Sequence, residues 1–472
     1  MAGGAGVTTS AIPPGPRSIL GLRPAWAFRS NPLSYLQNLA RNYGDIAHFQ
    51  LGWRHAYLLN HPSLVQEFLV VHAAKQVRGP VMQRGRAVMG DGLLTSEEPL
   101  HATQRKLIQP AFHRESMTRY AGVMSACARR ACEPWRDGEV FDLHKEMMRL
   151  TLAILGRSLF GREIEEDASE IGQAVTELMS LVDLVFVPFS GPLISLLLPG
   201  LRRLKRVRER LDRLIYDLIA ERQKSGAQGD DLLSMLLRKQ MASSHSNAIR
   251  QVRDDCLTIL LAGHETIANS LTYTLHLLAQ HPEEAEKIRR EAQLIARGEE
   301  LNAADYDRMP IARATLAESM RLYPPVWVLG RAIIEPCKIG AYTAPTGAIL
   351  FASQYLLHRD PRFFDDPERF RPDRFLPGAK TQQAAYFPFG LGPRRCIGEV
   401  FALMEGALVL STILQRWNFE LLPETRLVLD PKITLRPKVP VLVKVVTAAK
   451  DVASSSREKL REETTNRRVA TG

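Results

Sequence analysis

Apolar residues recur three and four positions apart along most of the chain, the spacing of helices that bury one face, with short alternating or continuous apolar runs between them. Residues 32–43 read as a helix stopped by Gly44. Residues 45–51 and 56–59 read as a β-hairpin turning at Gly52 and closed by His61-Pro62, with Ser63 capping a short helix through Val71. Residues 76–99, rich in glycine and proline, carry no period and read as a long loop. Helix resumes at His101 and then runs almost unbroken from 116 to 239, broken by Pro188 and Pro192. A long helix over 247–280 ends at His281-Pro282, and helices follow over 283–296 and 311–323, the last stopped by Pro324-Pro325. Strands are expected over 326–331, 349–352 and 441–446, and one more helix over 400–414. The predicted fold is mainly α with small β-sheets, an α+β arrangement.

The 472 residues divide into a flexible start (1–12), one catalytic unit (13–448) and a serine-rich, densely charged tail (449–472) of the composition that stays disordered. Five cysteines, odd in number and without Cys-x-x-Cys spacing, exclude a disulfide framework and fit a reducing cytoplasm. The first dozen residues lack the cationic start and apolar core of a signal peptide. The apolar stretch 181–198 is interrupted by Asp183, two prolines and a glycine, and fails as a spanning helix, which needs about twenty apolar residues. A net charge of +11 raises the question of nucleic acid. Much of the excess lies in one amphipathic helix (Arg202, Arg203, Lys205, Arg206, Arg208, Arg210, Arg213) with a solvated basic face. No helix-turn-helix or zinc signature accompanies it, so a partner protein of acidic surface fits better than DNA.

The candidate chemistry sits in Phe389-Gly390-Leu391-Gly392-Pro393-Arg394-Arg395-Cys396-Ile397-Gly398, directly before the apolar helix. Gly390 and Gly392 allow positive-φ turns, and Gly398 leaves no side chain where the helix meets a ligand. The unpaired amides and positive end of that helix, with Arg394 close by, favour ionisation of the Cys396 thiol. One soft sulfur with no companion ligands suits a heme iron better than zinc.

This string resembles the heme-binding loop of the cytochrome P-450 family, F-G-x-G-x-R-x-C-x-G, at every fixed position. The resemblance implies heme b with Cys396 as the axial thiolate and metal ligand, and with Phe389, Gly390 and Gly398 forming the loop around it. It also implies propionate contacts from Arg394, His101, Arg105 and Arg331. Taken alone, His101 and Arg105, four apart on one helical face, read as a solvated pair. Within the long helix, Ala262-Gly263-His264-Glu265-Thr266 combines a mid-helix glycine with a threonine able to bond back to a carbonyl. Together they predict a local opening of the helix. By resemblance Thr266 is the alcohol and Glu265 the acid that deliver protons to dioxygen, and Ala262 and Gly263 form the groove where it fits; alone, the segment is a glycine-kinked core helix. Glu318, Arg321 and Arg374 match a buried structural Glu-x-x-Arg and its second arginine.

Leu257, Leu260, Leu261, Ala262, Val326, Trp327, Val328 and Ile433 suggest an apolar pocket, open to a terpenoid, fatty acid, steroid or polyketide. Residues 184–198 read either as the lid of its channel or as core. The implied activity is hydroxylation or epoxidation of a lipophilic molecule with dioxygen. Electrons come from NAD(P)H through a separate ferredoxin or flavodoxin and its reductase, to a monomer without a membrane anchor. A peroxide-driven peroxygenase, a heme-thiolate isomerase or dehydratase, and a non-catalytic heme-thiolate ligand-binding protein are the alternatives. The pair Glu265-Thr266 speaks against all three.

Overall fold

A computed structural model describes residues 12–18, 21–161, 168–181, 199–226, 229–241, 247–379 and 383–448. The expected lid over 184–198 and the charged tail fall outside them, as does all but the last residue of the flexible start. Among the described residues the fold is mainly helical, as the periodicity predicts, with four small sheets.

The helix Pro32–Tyr43 shows how locally these elements are dictated. Asn31 caps it by accepting from Ser34 N–H at 3.2 Å, Pro32 occupies its first turn, and Gly44 ends it at φ 79°. In chain order the strands are β1 (Ile46–Leu51), β2 (Arg54–Leu59), β3 (Gln76–Arg78), β4 (Val140–Asp142), β5 (Leu329–Ile333), β6 (Cys337–Ile339), β7 (Tyr342–Ala344), β8 (Ile349–Ala352), β9 (Trp417–Leu421), β10 (Leu429–Pro431), β11 (Leu435–Pro437) and β12 (Leu442–Thr447). The main sheet has the order β1-β2-β8-β5-β3, with β2 and β8 parallel and its other pairs antiparallel. Its register sets Arg78 of β3 directly opposite Arg331 of β5.

Helices Arg114–Cys132, Leu143–Phe160, Ala248–Gln280 and Glu399–Leu414 share the main apolar core, with Ala248–Gln280 running through it. Two smaller clusters lie under the main sheet, one joining Leu36, Phe49 and Leu58 to Trp327 and Leu435.

Four local expectations change. The segment expected as a loop over 76–99 contains β3 and a helix, Pro80–Met89, in which Gly85 separates Val81 and Met82 from the buried Val88 and Met89. The cap of the short helix Pro62–Gln66 is His61, whose side chain accepts from Ser63 N–H, and the chain continues to Val71 as a π-helical turn. The stretch from 116 to 239 is several helices with β4 among them. The basic helix Pro199–Lys224 is not simply solvated: Arg203 pairs with Glu177 and Arg210 with Glu170 at 2.8 Å, both on the neighbouring helix Ala168–Leu181, and Arg208 lies 3.6 Å from Asp212 one turn along its own helix. No helix among the described residues is long and apolar enough to cross a membrane.

Candidate heme site

The cysteine loop is a tight reversal closed by its own backbone. Gly390 and Gly392 take φ of 71° and 70°, Cys396 N–H donates to Phe389 O at 2.9 Å, and Gly390 N–H donates to Phe387 O at 2.9 Å. A side chain at 392 would strike the carbonyl of Leu69. Phe389 packs on the main core, and Gly398 caps the helix Glu399–Leu414, its N–H donating toward the Cys396 sulfur. Cys396 is exposed although groups of its own loop and of the following helix crowd round it, the condition of a side chain at the foot of a cleft.

That setting corrects the expectation of ready ionisation. Burial pushes the thiol pKa up, Glu399 adds to the rise, and Gly398 N–H, Arg105 and Arg395 oppose it. Arg395 is itself neutralised by Glu399, with two contacts of 2.6 Å. A metal ion at the sulfur would deprotonate it outright, so this thiol fits a metal ligand better than a free nucleophile.

Beside the loop lies a cluster of buried cations. Arg78 and Arg331, register partners in β3 and β5, are both buried, and Arg394 adds a third guanidinium. Burial comes first in lowering each pKa, taking Arg331 to about 10. Repulsion follows, from Arg394 on Arg331, and from Arg331 and Arg394 on Arg78, which falls well below the usual arginine value. Like charges directly opposite in a sheet are destabilising. Among the described residues, Glu97 and Glu98 are the acids that offset them. Glu97 accepts from Arg394 Nη2 at 2.6 Å and from Arg78 N–H at 2.6 Å, whereas Glu98 lies 2.8 Å from His101 Nδ1. Burial, then Arg394, pushes His101 down to about 4, so it is neutral near pH 7. Nε of Arg78 is buried without a hydrogen-bond partner among the described residues. Three guanidiniums sharing two carboxylates, one with an orphaned N–H, form a donor set for a further anion, and a planar group carrying two carboxylates fits it.

The segment bearing Glu97 and Glu98 is fixed on the long helix. Asp91 N–H donates to Asp254 Oδ2 at 2.9 Å, and Gln104 Nε2 donates to Asp255 Oδ1 at 3.1 Å. Arg394 Nη1 reaches Ser96 O at 2.7 Å, and Arg105 Nη1 reaches Arg395 O at 2.7 Å. Arg394, His101, Arg105 and Arg331, expected from the sequence, thus share one neighbourhood, and Arg78, Glu97 and Glu98 join them without a sequence signal. A lone arginine before Gly79-Pro80 carries no periodic signal; only the strand pairing reveals it.

Further along the long helix, Ala262 is exposed and Gly263 and Thr266 are half-buried, although His264 and Glu265 between them are buried. Such a stripe in the middle of a core helix marks the wall of an internal cleft. The expected opening of the helix does not occur. Helical structure is continuous from Ala248 to Gln280, since the bond from Thr266 Oγ1 to Ala262 O at 2.7 Å adds to the ladder without replacing a rung. Glycine at 263 serves helix packing as well as the cleft: a Cβ there would come within 2.9 Å of Leu155.

Glu265 points elsewhere. Its carboxyl bonds to Thr434 and lies 4.0 Å from Arg436, and burial raises its pKa against the pull of Arg436. Thr434 joins Asn269 of the long helix at 3.4 Å, and Leu435 N–H donates to Pro325 O at 2.8 Å. Val326, Ile433 and this stretch of helix thus come together, the first two half-buried. Trp327 is instead turned into the cluster of Leu36 and Phe49, donating Nε1–H to Lys432 O at 2.9 Å, and Val328 packs on the same cluster. Leu257, Leu260 and Leu261 are buried in the main core.

The structural triad is present as geometry. Glu318 and Arg321, both fully buried, form a bidentate pair at 2.7 and 2.8 Å, and Arg374 approaches the same carboxylate at 3.4 Å. Arg321 also donates to the carbonyls of His358 and Pro367, at 2.7 and 2.6 Å.

A family model described as cytochrome P-450 matches residues 13–445. Cyclooctat-9-en-7-ol 5-monooxygenase of Streptomyces melanosporofaciens is 34% identical over 425 residues, covering 89% of this chain and 91% of that protein. Cyclooctatin synthase of the same organism is 32% identical (86% of this chain, 89% of that one), and pentalenene oxygenase of Streptomyces avermitilis is 31% identical (88% and 90%). A thiol at the foot of a cleft, a buried cation cluster suited to two carboxylates, and these likenesses agree: the chain belongs to the cytochrome P-450 family and is a heme-thiolate monooxygenase.

Proposed function

We propose that this protein hydroxylates a cyclic terpenoid, placing one atom of dioxygen on a C–H bond and releasing the other as water, with two electrons and two protons consumed. The observation that carries the substrate class is the likeness, over nearly the whole chain, to oxygenases named for cyclooctatin and pentalenene. Heme, when bound, supplies the oxidising chemistry.

The chain's own residues do the rest. Cys396 would hold the iron through its sulfur, and Arg78, Arg331, Arg394, His101 and Arg105 would hold the propionates. Thr266 Oγ1, tethered to Ala262 O, keeps its lone pairs toward the cleft and passes protons. Glu265, a buried acid with a raised pKa, is the proton reserve behind it. Consecutive residues point about 100° apart around a helix, so Glu265 and Thr266 face different ways and water links them. Ala262, Val326 and Ile433 line the apolar side where substrate lies. Glu318, Arg321 and Arg374 hold the loop side in place and take no part in chemistry.

Electrons come from NAD(P)H by way of a ferredoxin or flavodoxin docking beside the cysteine loop, where Lys106 is exposed and presents positive charge. Its association rate falls as salt rises.

Two measurements test the proposal. Reduced protein under carbon monoxide should show the long-wavelength band of thiolate-ligated heme, and Cys396→Ala should abolish it. Cyclic terpenoid hydrocarbons or alcohols should shift the ferric Soret band and, with ferredoxin, reductase and NAD(P)H, yield products one oxygen heavier. Turnover of fatty acids with none of terpenoids would overturn the substrate class.

A further inference from the structure

We propose that Gln104 is a positioning residue for the charge balance of the bound heme: by tying Asp91 and Ser96 to the long helix, it keeps the Glu97 carboxylate on the arginine cluster and so holds the reduction potential down. Gln104 lies between His101 and Arg105 on the helix Leu100–Ile108 and is 1% exposed. Both ends of its amide are bonded inside the protein, as a buried amide requires. Its Nε2 donates to Asp91 O and, at 3.1 Å, to Asp255 Oδ1 of the long helix, and its Oε1 accepts from Ser96 Oγ.

One side chain thus joins both ends of the 91–96 segment to the long helix. Residues 91–97 belong to no helix or strand, so bonds made by side chains and turns fix their course. Thr95 and Ser96 N–H both donate back to Gly92 O, at 3.0 and 2.9 Å, and Gln251 Nε2 donates to Asp91 O at 3.0 Å. Gly92 lies so close to the long helix that a side chain there would strike Thr258 Oγ1 and the carbonyl of Asp254. The functional contacts come at the end of this segment. Ser96 O and Glu97 Oε2 accept from the two Nη atoms of Arg394, at 2.7 and 2.6 Å, and Glu97 Oε1 accepts from Arg78 N–H. Where the carboxylate sits follows from where Ser96 is held, and the side chain of Ser96 is held by Gln104.

The electrostatic consequence has a definite sign. Arg78, Arg331 and Arg394 are buried, where charges act on one another with little screening, and Glu97 is the carboxylate bonded to two of the three residues. A negative charge fixed beside the heme opposes the electron that turns ferric iron ferrous. Drawing it away leaves the guanidiniums less compensated and makes reduction easier, since burial and hydrogen bonding around a heme are levers on its potential. The inference rests on the reading that this cluster holds the propionates.

The test is a spectroelectrochemical titration of the heme-loaded protein, with the carbon monoxide band reporting intact ligation. Glu97→Gln removes the charge and keeps an acceptor; at a fixed potential it should raise the ferrous-to-ferric ratio about tenfold, a shift of about 59 mV for one electron. Gln104→Met keeps the bulk and removes the bonds; it should move the ratio the same way by about threefold or more. Ser96→Ala, a milder cut in the same link, should move it by less, and decides alone if Gln104→Met loses heme. In the Glu97→Gln background Gln104→Met should add nothing, because it acts through that carboxylate. In heme-free protein Gln104→Met should speed hydrogen exchange at the amides of 93–97. A shift with Glu97→Gln and none with Gln104→Met or Ser96→Ala would overturn the inference and leave the propionate reading standing, whereas no shift with Glu97→Gln would overturn both. Additive shifts in the double variant would make Gln104 a packing residue and equally overturn it.

Discussion

Arg78 and Arg331 face each other across an antiparallel strand pair, both buried, with Arg394 close enough to depress the pKa of each. Such a pairing is unfavourable in the protein alone and becomes favourable with an anion between the strands. Removing one guanidinium should therefore weaken heme retention more than it weakens the polypeptide fold. Arg78→Leu should release heme to an acceptor globin on the order of tenfold faster, the loss of one charge-assisted hydrogen bond, with little change in helical content. Unchanged heme release would remove Arg78 from the propionate set.

His358 ties the buried triad to the cysteine loop. Its Nε2 accepts from Phe387 N–H at 3.0 Å, and Arg321 donates to its carbonyl. An acceptor nitrogen must be unprotonated, and burial, with Arg321 and Arg359 nearby, depresses the pKa to about 3. Because the folded pKa lies below the unfolded value, about 6.5 for histidine, this contribution to stability is present above pH 6.5 and is lost as pH falls toward 3. His358→Ala should cost about 1–3 kcal/mol by leaving a buried N–H unsatisfied. His358→Gln, which keeps an acceptor, should recover part of that loss and flatten the acid limb of the stability curve. Thermal or denaturant unfolding between pH 4 and 8 reads both effects.

Thr266→Ala removes the hydroxyl bonded to Ala262 O without disturbing a continuous helix, so heme content and substrate binding should be unchanged. Reducing equivalents should instead appear as hydrogen peroxide, measured as NAD(P)H consumed against product formed. Coupling equal to that of the parent protein would take Thr266 out of proton delivery.

The parts of the site that were legible in the sequence are those fixed by local backbone demands. Gly390 and Gly392 are required by their positive φ, Cys396 stands one reversal away, and Glu318 and Arg321 share a helical face by spacing alone. What was hidden depends on pairing across the chain. Arg78 gains its meaning from a strand some 250 residues later, and Glu97 from contact with Arg394. Apolarity also failed to distinguish lining from core: Trp327 and Leu257 are as oily as a pocket wall requires, yet one packs under the main sheet and the other among helices. The helix Pro80–Met89 escaped because Gly85 interrupts its only apolar stripe. The unbroken helix at 262–266 escaped because a threonine bonded to the previous turn need not displace a backbone partner.

The close crossing of Gly263 and Leu155 has a bearing on how selectivity in this protein could be altered. Among many contacts between the long helix and its neighbour, Gly263 meets the Leu155 side chain, so the bulk at these two positions sets how closely the helices approach beside the 262–266 stripe. Trimming that leucine would let the wall retreat, and adding a methyl at 263 would push it inward. The shape presented to a guest molecule is therefore adjustable from a residue that never touches it.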